Sequence, residues 1–144
     1  MPHHFNSART VGNGVEVKKT QLPFLGLGLF ATIPFKRLDF ITEFYGERIT
    51  HQQAMDGRPT SHIRTLESHH ECIDGERKIV QGKGAAQFAN DGKLHKLNNA
   101  RLVNVWDNST ASYRCFLRAL CDISPHEEIC TSYGSGYWKR IEQK

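Results

Sequence analysis

Long apolar runs are missing from this sequence. Nowhere among its 144 residues do about 18 apolar side chains stand together, so no membrane-spanning helix is expected. The opening stretch, MPHHFNSART, likewise lacks the apolar segment a secretory leader needs. Paired cysteines are missing too. Cys72, Cys115, Cys121 and Cys130 form no C-x-x-C motif, which argues against a zinc ribbon or a disulfide scaffold and for reduced, largely buried thiols in an intracellular protein. Charge of one sign is scarce: 19 Lys and Arg stand against 15 Asp and Glu, a net of +4. The basic runs are short (Lys18-Lys19, Lys36-Arg37, Lys139-Arg140) and read as solvated surface rather than a nucleic-acid patch. The stretch HHEC at 69–72 has metal-ligating residue types, but neighbours on a strand point to opposite faces, so no metal site is expected. Internal repeats, low-complexity segments and sustained helical periodicity are absent.

Short β-branched and aromatic runs bounded by Gly, Pro, Asn and Asp dominate what is present. They predict strands over Val15–Gln21, Leu27–Thr32, Phe40–Arg48, His70–Asp74, Lys78–Val80, Ala100–Trp106, Tyr113–Leu120 and Glu128–Ser132. Asp74-Gly75 reads as a tight hairpin turn between two of these. A turn of helix is expected over His51–Asp56, ended by Gly57, and another over Ala85–Asn90. The fold class is mostly β with long loops, and 144 residues are enough for one domain with a single core.

Three glycine-bearing stretches stand out. Gly26-Leu27-Gly28 interrupts the apolar run FLGLGLFA, where glycines form a bulge or let a ligand approach the backbone. GKGAAQFANDG, 82–92, sets small residues around Phe88 before Asn90-Asp91. EEICTSYGSGYW, 127–138, gathers Tyr133, Tyr137 and Trp138 beside a glycine-loosened turn near the chain end. Taken alone, Tyr133 reads as a core tyrosine and Asn-Asp-Gly as a surface turn.

In order and spacing, four pieces resemble the SET domain of protein lysine methyltransferases: GLGLFA (26–31), FYGERIT (44–50), QFANDGKLHKLNNA (87–100) and PHEEICTSYG (125–134). The resemblance spans roughly 15–138, with 1–14 as an N-terminal arm and 139–144 as a short tail. It implies the SET-domain fold: small curved β-sheets, few short helices and a C-terminal pseudoknot, a rare threaded arrangement. It also implies S-adenosylmethionine as cofactor and a protein or peptide with an exposed lysine as partner, a histone tail by default, in a nuclear or chromatin setting. The C-x-C-x(4)-C pattern of some members' zinc-binding tails does not occur in 139–144, so no zinc is expected. A homodimer is left open.

The resemblance assigns roles residue by residue. Tyr133 is the catalytic tyrosine, its hydroxyl beside the methyl group and the amine. Tyr45 lines the lysine channel or is a plain strand tyrosine. Leu25, Gly26, Leu27 and Gly28 wrap the methionine part of the cofactor, Asn90 and Asp91 take the place of the family's Asn-His pair, and Trp138 covers the adenine. Asp91 departs from the pattern, as does His126 where glycine is usual; together they support an alternative, a catalytically weak or inactive SET-fold peptide-binding module. Thr131 stands where a bulkier residue often limits the number of methyl groups, so a small side chain there leaves room for higher methylation. Glu43, Glu47, Glu71 and Asp74 are the carboxylates available to a basic tail.

Overall fold

The computed structural model describes residues 5–22, 26–56, 62–66, 71–92 and 98–132. Three small sheets carry the chain. The first runs β1 (Thr10–Val11), β2 (Gly14–Lys19), β3 (Leu27–Ala31) and β10 (Glu128–Ile129) in that order. The second orders β4 (Phe40–Glu43), β9 (Ser112–Ala119) and β8 (Ala100–Asp107); the third orders β5 (Gly46–Thr50), β7 (Glu71–Gly75) and β6 (Ile63–Thr65).

The sequence explains the local choices. In β2, Val15 is fully buried while Lys18 and Lys19 reach solvent at the far end. β3 is buried from Gly28 through Ala31, because β2 covers one edge and β10 the other. Helix α1 (His51–Met55) is short but well started. Thr50 accepts from the Gln53 N–H at 3.1 Å, and the Gln53 side chain accepts from the Thr50 N–H at 2.9 Å, a reciprocal cap.

Val15, Leu29, Ile41, Ile73, Leu117 and Ile129 come from all three sheets and share the main core with Phe88, while Ile49, Ala54 and Cys72 form a second, smaller cluster. Burying each of those main-core side chains contributes roughly 1.5–3 kcal/mol. After β10 the chain continues into the middle of the molecule. Cys130 and Thr131 form parallel bridges to Asn90 and Ala100, so this short segment lies between those two residues.

Several expected elements are corrected. Phe40–Arg48 is two strands, not one: the chain breaks at Phe44-Tyr45 and changes sheet. Asp74-Gly75 makes no hairpin, because β7 runs through Gly75 and pairs on both sides, Gly46 facing Gly75 and Ile63 facing Asp74. Lys78–Val80 is accordingly not a strand. Ala85–Asn90 shrinks to a single 3-10 turn, Ala86–Phe88. The two-residue β1 and three-residue β6 were too short to give an alternating signal.

Candidate active site

Two glycine-flanked segments and the residues that follow β10 meet at Asn90. Its amide group donates to the Leu27 carbonyl at 2.8 Å, and its backbone carbonyl accepts from the Thr131 N–H at 2.9 Å. Asn90 thus ties the Gly26–Gly28 stretch to the strand that leads into Tyr133. Tyr133, Trp138, Tyr137 and Leu25 themselves lie outside the described residues.

Beside this junction is a cavity of about 380 Å³, walled by Gly26, Leu27 and Asn90 on one side and by His62, Arg77, Gln87 and Phe88 on the other. Leu27 is 45% exposed, which an apolar side chain at a cavity mouth explains. The two glycines differ. A Cβ at Gly26 would meet nothing within 4 Å, whereas one at Gly28 would fall inside the Glu128 carboxylate. Gly28 is therefore needed for packing, and Gly26 leaves backbone open towards the cavity. Burial and the neighbouring Arg77 guanidinium lower the pKa of half-buried His62, against a smaller opposing effect of Asp74.

Asp91 follows Asn90 but turns away from this wall. It is buried and accepts from the Asn98 amide at 3.3 Å, while the Gly92 N–H donates to Asn98 Oδ1 at 2.7 Å. This polar clasp ties Asp91 and Gly92 to Asn98. Tyr45 lies in a second cavity of about 320 Å³, with Phe5, Arg9, Glu43, Arg114 and Phe116 among its walls. Gln87 links the two cavities, because its side-chain oxygen accepts from the Tyr45 N–H at 3.0 Å while the residue lines the first.

Three of the four carboxylates expected to face a basic peptide are already committed. Arg114 holds Glu43 through two nitrogens at 2.6 and 2.8 Å, Arg77 lies 3.1 Å from Asp74, and Arg48 pairs with Glu71. That last pairing also occupies the acid of the HHEC stretch, whose Cys72 is buried beside Thr65. Among the described residues, no three His, Cys, Asp or Glu side chains are grouped as a metal site would need. The cysteines in this set are free thiols, buried at Cys72, Cys115 and Cys130 and exposed at Cys121. Burial, then the charges of Glu128 and Asp91, pushes the Cys130 thiol up to about 12, so it stays protonated.

Two residues at the junction were not singled out from sequence. Asn99 donates to the Glu128 carbonyl at 2.9 Å and accepts from the Cys130 N–H at 2.9 Å, so its side chain extends the pairing of the chain end. Glu128 reaches the opposite way, to Thr20, Gln21 and Asn90. Only its buried place in an otherwise apolar strand could have flagged it.

A small β-domain in which the segment after β10 pairs back to Asn90 and Ala100, beside a cavity, defines the architectural class. The SET domain family model matches residues 26–134, and the chain belongs to the SET-domain family. A search of curated proteins finds no match. Among solved structures, the chain is similar to ATXR5 in complex with a mono-methylated histone H3.1, at TM-score 0.65 and 19% identity, over 85% of this chain and 58% of that one. It is also similar to ctPRC2 in an autoinhibited conformation bound to S-adenosylmethionine, at TM-score 0.69 and 23% identity, over 95% of this chain and 17% of that one. An apo ctPRC2 carrying two substitutions in Ezh2 gives TM-score 0.69 and 25% identity, over 94% and 17%. The chain thus spans just over half of the ATXR5 chain and about a sixth of the PRC2 chains.

Proposed function

We propose that the protein is an S-adenosylmethionine-dependent protein lysine N-methyltransferase. The observation that carries this reading is the junction at Asn90, where the open Gly26 backbone, an asparagine amide and the strand entering Tyr133 meet beside one cavity. Gly26 and Leu27 would hold the cofactor by backbone groups and Asn90 by its remaining polar capacity, with Leu25 and Trp138 completing the enclosure. When bound, S-adenosylmethionine supplies a methyl group activated on a positively charged sulfur.

The remaining work falls to the chain's own residues. A lysine side chain must arrive neutral, and with an ordinary pKa near ~10.4 only about 0.4% is neutral at pH 8. An apolar, water-poor channel lowers that pKa and grips the methylene stem. Tyr133 is assigned the hydroxyl that orients the amine, and Tyr45 is a candidate for the channel wall. Positioning, rather than strong acid or base chemistry, supplies the rate.

A histone tail is the favoured substrate, bound extended along a sheet edge. Because Glu43, Glu71 and Asp74 are engaged with arginines, its grip on such a tail rests on backbone pairing and the lysine channel more than on acidic contacts. With a histone substrate the protein works at chromatin, in the nucleus. Calorimetric titration with S-adenosylmethionine tests the reading. Wild type is expected to bind, and Asn90→Ala to weaken binding at least tenfold; equal affinity in the two would remove Asn90 from the site.

A further inference from the structure

Glu128 is a buried carboxylate with an unusual set of partners. One oxygen accepts from the Thr20 hydroxyl, and from the Asn90 amide at 3.5 Å; the other accepts from the Gln21 N–H at 3.0 Å. All three donors are neutral, and among the described residues no cation pairs with it. Burying a charge without a counter-ion is costly, so a side chain that only filled space here would be apolar. The same carboxylate packs against the Cα of Gly28, where any side chain would collide with it. It therefore touches the end of β2, the glycine strand β3 and Asn90 from behind the cavity wall.

We infer that Glu128 is the positioning residue of the methyl-donor site, a strut that fixes the Gly26–Gly28 backbone and the Asn90 amide relative to each other. The inference rests on the proposed methyltransferase reading for what the wall binds, but not for the strut itself. Asn90 has two outlets for its amide hydrogens, the Leu27 carbonyl and Glu128, and both are filled. Its side chain is thereby held in one orientation, with the amide oxygen turned the other way. Glutamine at 128 would keep the shape. Its amide has one oxygen and one NH2, so in either orientation the NH2 meets a donor, the Asn90 amide or the Gln21 N–H. The substitution therefore breaks one tie of the strut, to Asn90 or to the segment after β2, without emptying the core.

The test compares wild type, Glu128→Gln and Thr20→Val by calorimetric titration with S-adenosylmethionine, by steady-state kinetics and by hydrogen exchange without cofactor. Glu128→Gln is expected to raise the cofactor Kd about tenfold, with peptide KM and kcat at saturating cofactor unchanged. Amides of residues 26–28 should exchange faster. Thr20→Val, which removes one donor and leaves the carboxylate, should shift the Kd the same way but less, and it decides the matter if Glu128→Gln does not fold. Unchanged cofactor affinity and unchanged exchange in the variants would overturn the strut. If wild type binds no cofactor, the methyltransferase reading falls and the exchange rates alone judge Glu128: faster at 26–28 supports it, unchanged refutes it.

Discussion

His126 carries a φ of +72°, a backbone conformation that costs an L-residue about 1–2 kcal/mol relative to glycine's easy access. It ends the turn that delivers β10, with its N–H bonded to the Ala31 carbonyl at 2.8 Å and the Glu127 N–H bonded to the Ser124 carbonyl at 3.2 Å. The unusual histidine therefore keeps the glycine-like geometry at an energetic cost. His126→Gly should stabilise the fold by about 0.5–1 kcal/mol, part of the relief being offset by added freedom in the unfolded chain. A thermal melt should show Tm higher by about 2–4 °C; an unchanged or lower Tm would show that the turn carries no strain. Thr131 offers a second case. It is buried at 1% exposure and, among the described residues, its hydroxyl finds no hydrogen-bond partner. Leaving such a group unpaired costs about 1–3 kcal/mol, so Thr131→Val, nearly isosteric, should raise stability by about 1 kcal/mol in chemical denaturation. A loss would mean the hydroxyl has a partner that matters, and would place Thr131 in the polar lining of the site.

At the scale of elements, the third sheet and its neighbours decide how the cavity responds to pH. His62 precedes β6 and is half-buried beside Arg77. Its pKa is lowered on folding, so the folded state binds fewer protons than the unfolded chain. Its contribution to stability is complete above the unfolded value, near ~6.5, and is lost as pH falls through the lowered folded value. Tm should therefore fall between pH 7 and pH 5, and His62→Gln should flatten part of that slope; identical slopes would contradict the assignment. Elements with long, distinctive patterns were legible in sequence: β2, β3, β8, β9 and the Thr50-capped α1 lie within a residue or two of expectation. The misreadings have physical causes. Phe40–Arg48 looks continuous because both halves are β-prone, and only the switch of sheet partners at Phe44-Tyr45 divides them. Asp74-Gly75 has the chemistry of a turn, yet pairing of β7 with both β5 and β6 holds it extended, tertiary context overriding local preference. In the site, the glycine stretch and Asn90 could be marked from motif order. Glu128, Asn99 and Gln87 could not, because the contacts that place them at the site are to residues more than 20 positions away.

The whole molecule depends on one long-range closure. β10 pairs with β3 across about a hundred residues of chain, and the next two residues slot between Asn90 and Ala100. The closure sets β10 and the two residues after it directly behind Asn90 and the glycine strand, which wall the cavity. Such non-local pairing is slow to form but, once made, couples the site to the core through Leu29 and Ile129, both fully buried. The methyl-transfer proposal thus stands on topology as much as on any one side chain. Its most direct test is transfer of labelled methyl from S-adenosylmethionine to separate histones by wild type and by Tyr133→Phe. Labelling by wild type that falls at least a hundredfold in the variant is the predicted result. Equal labelling by the two proteins, or none by wild type at saturating cofactor, would contradict it.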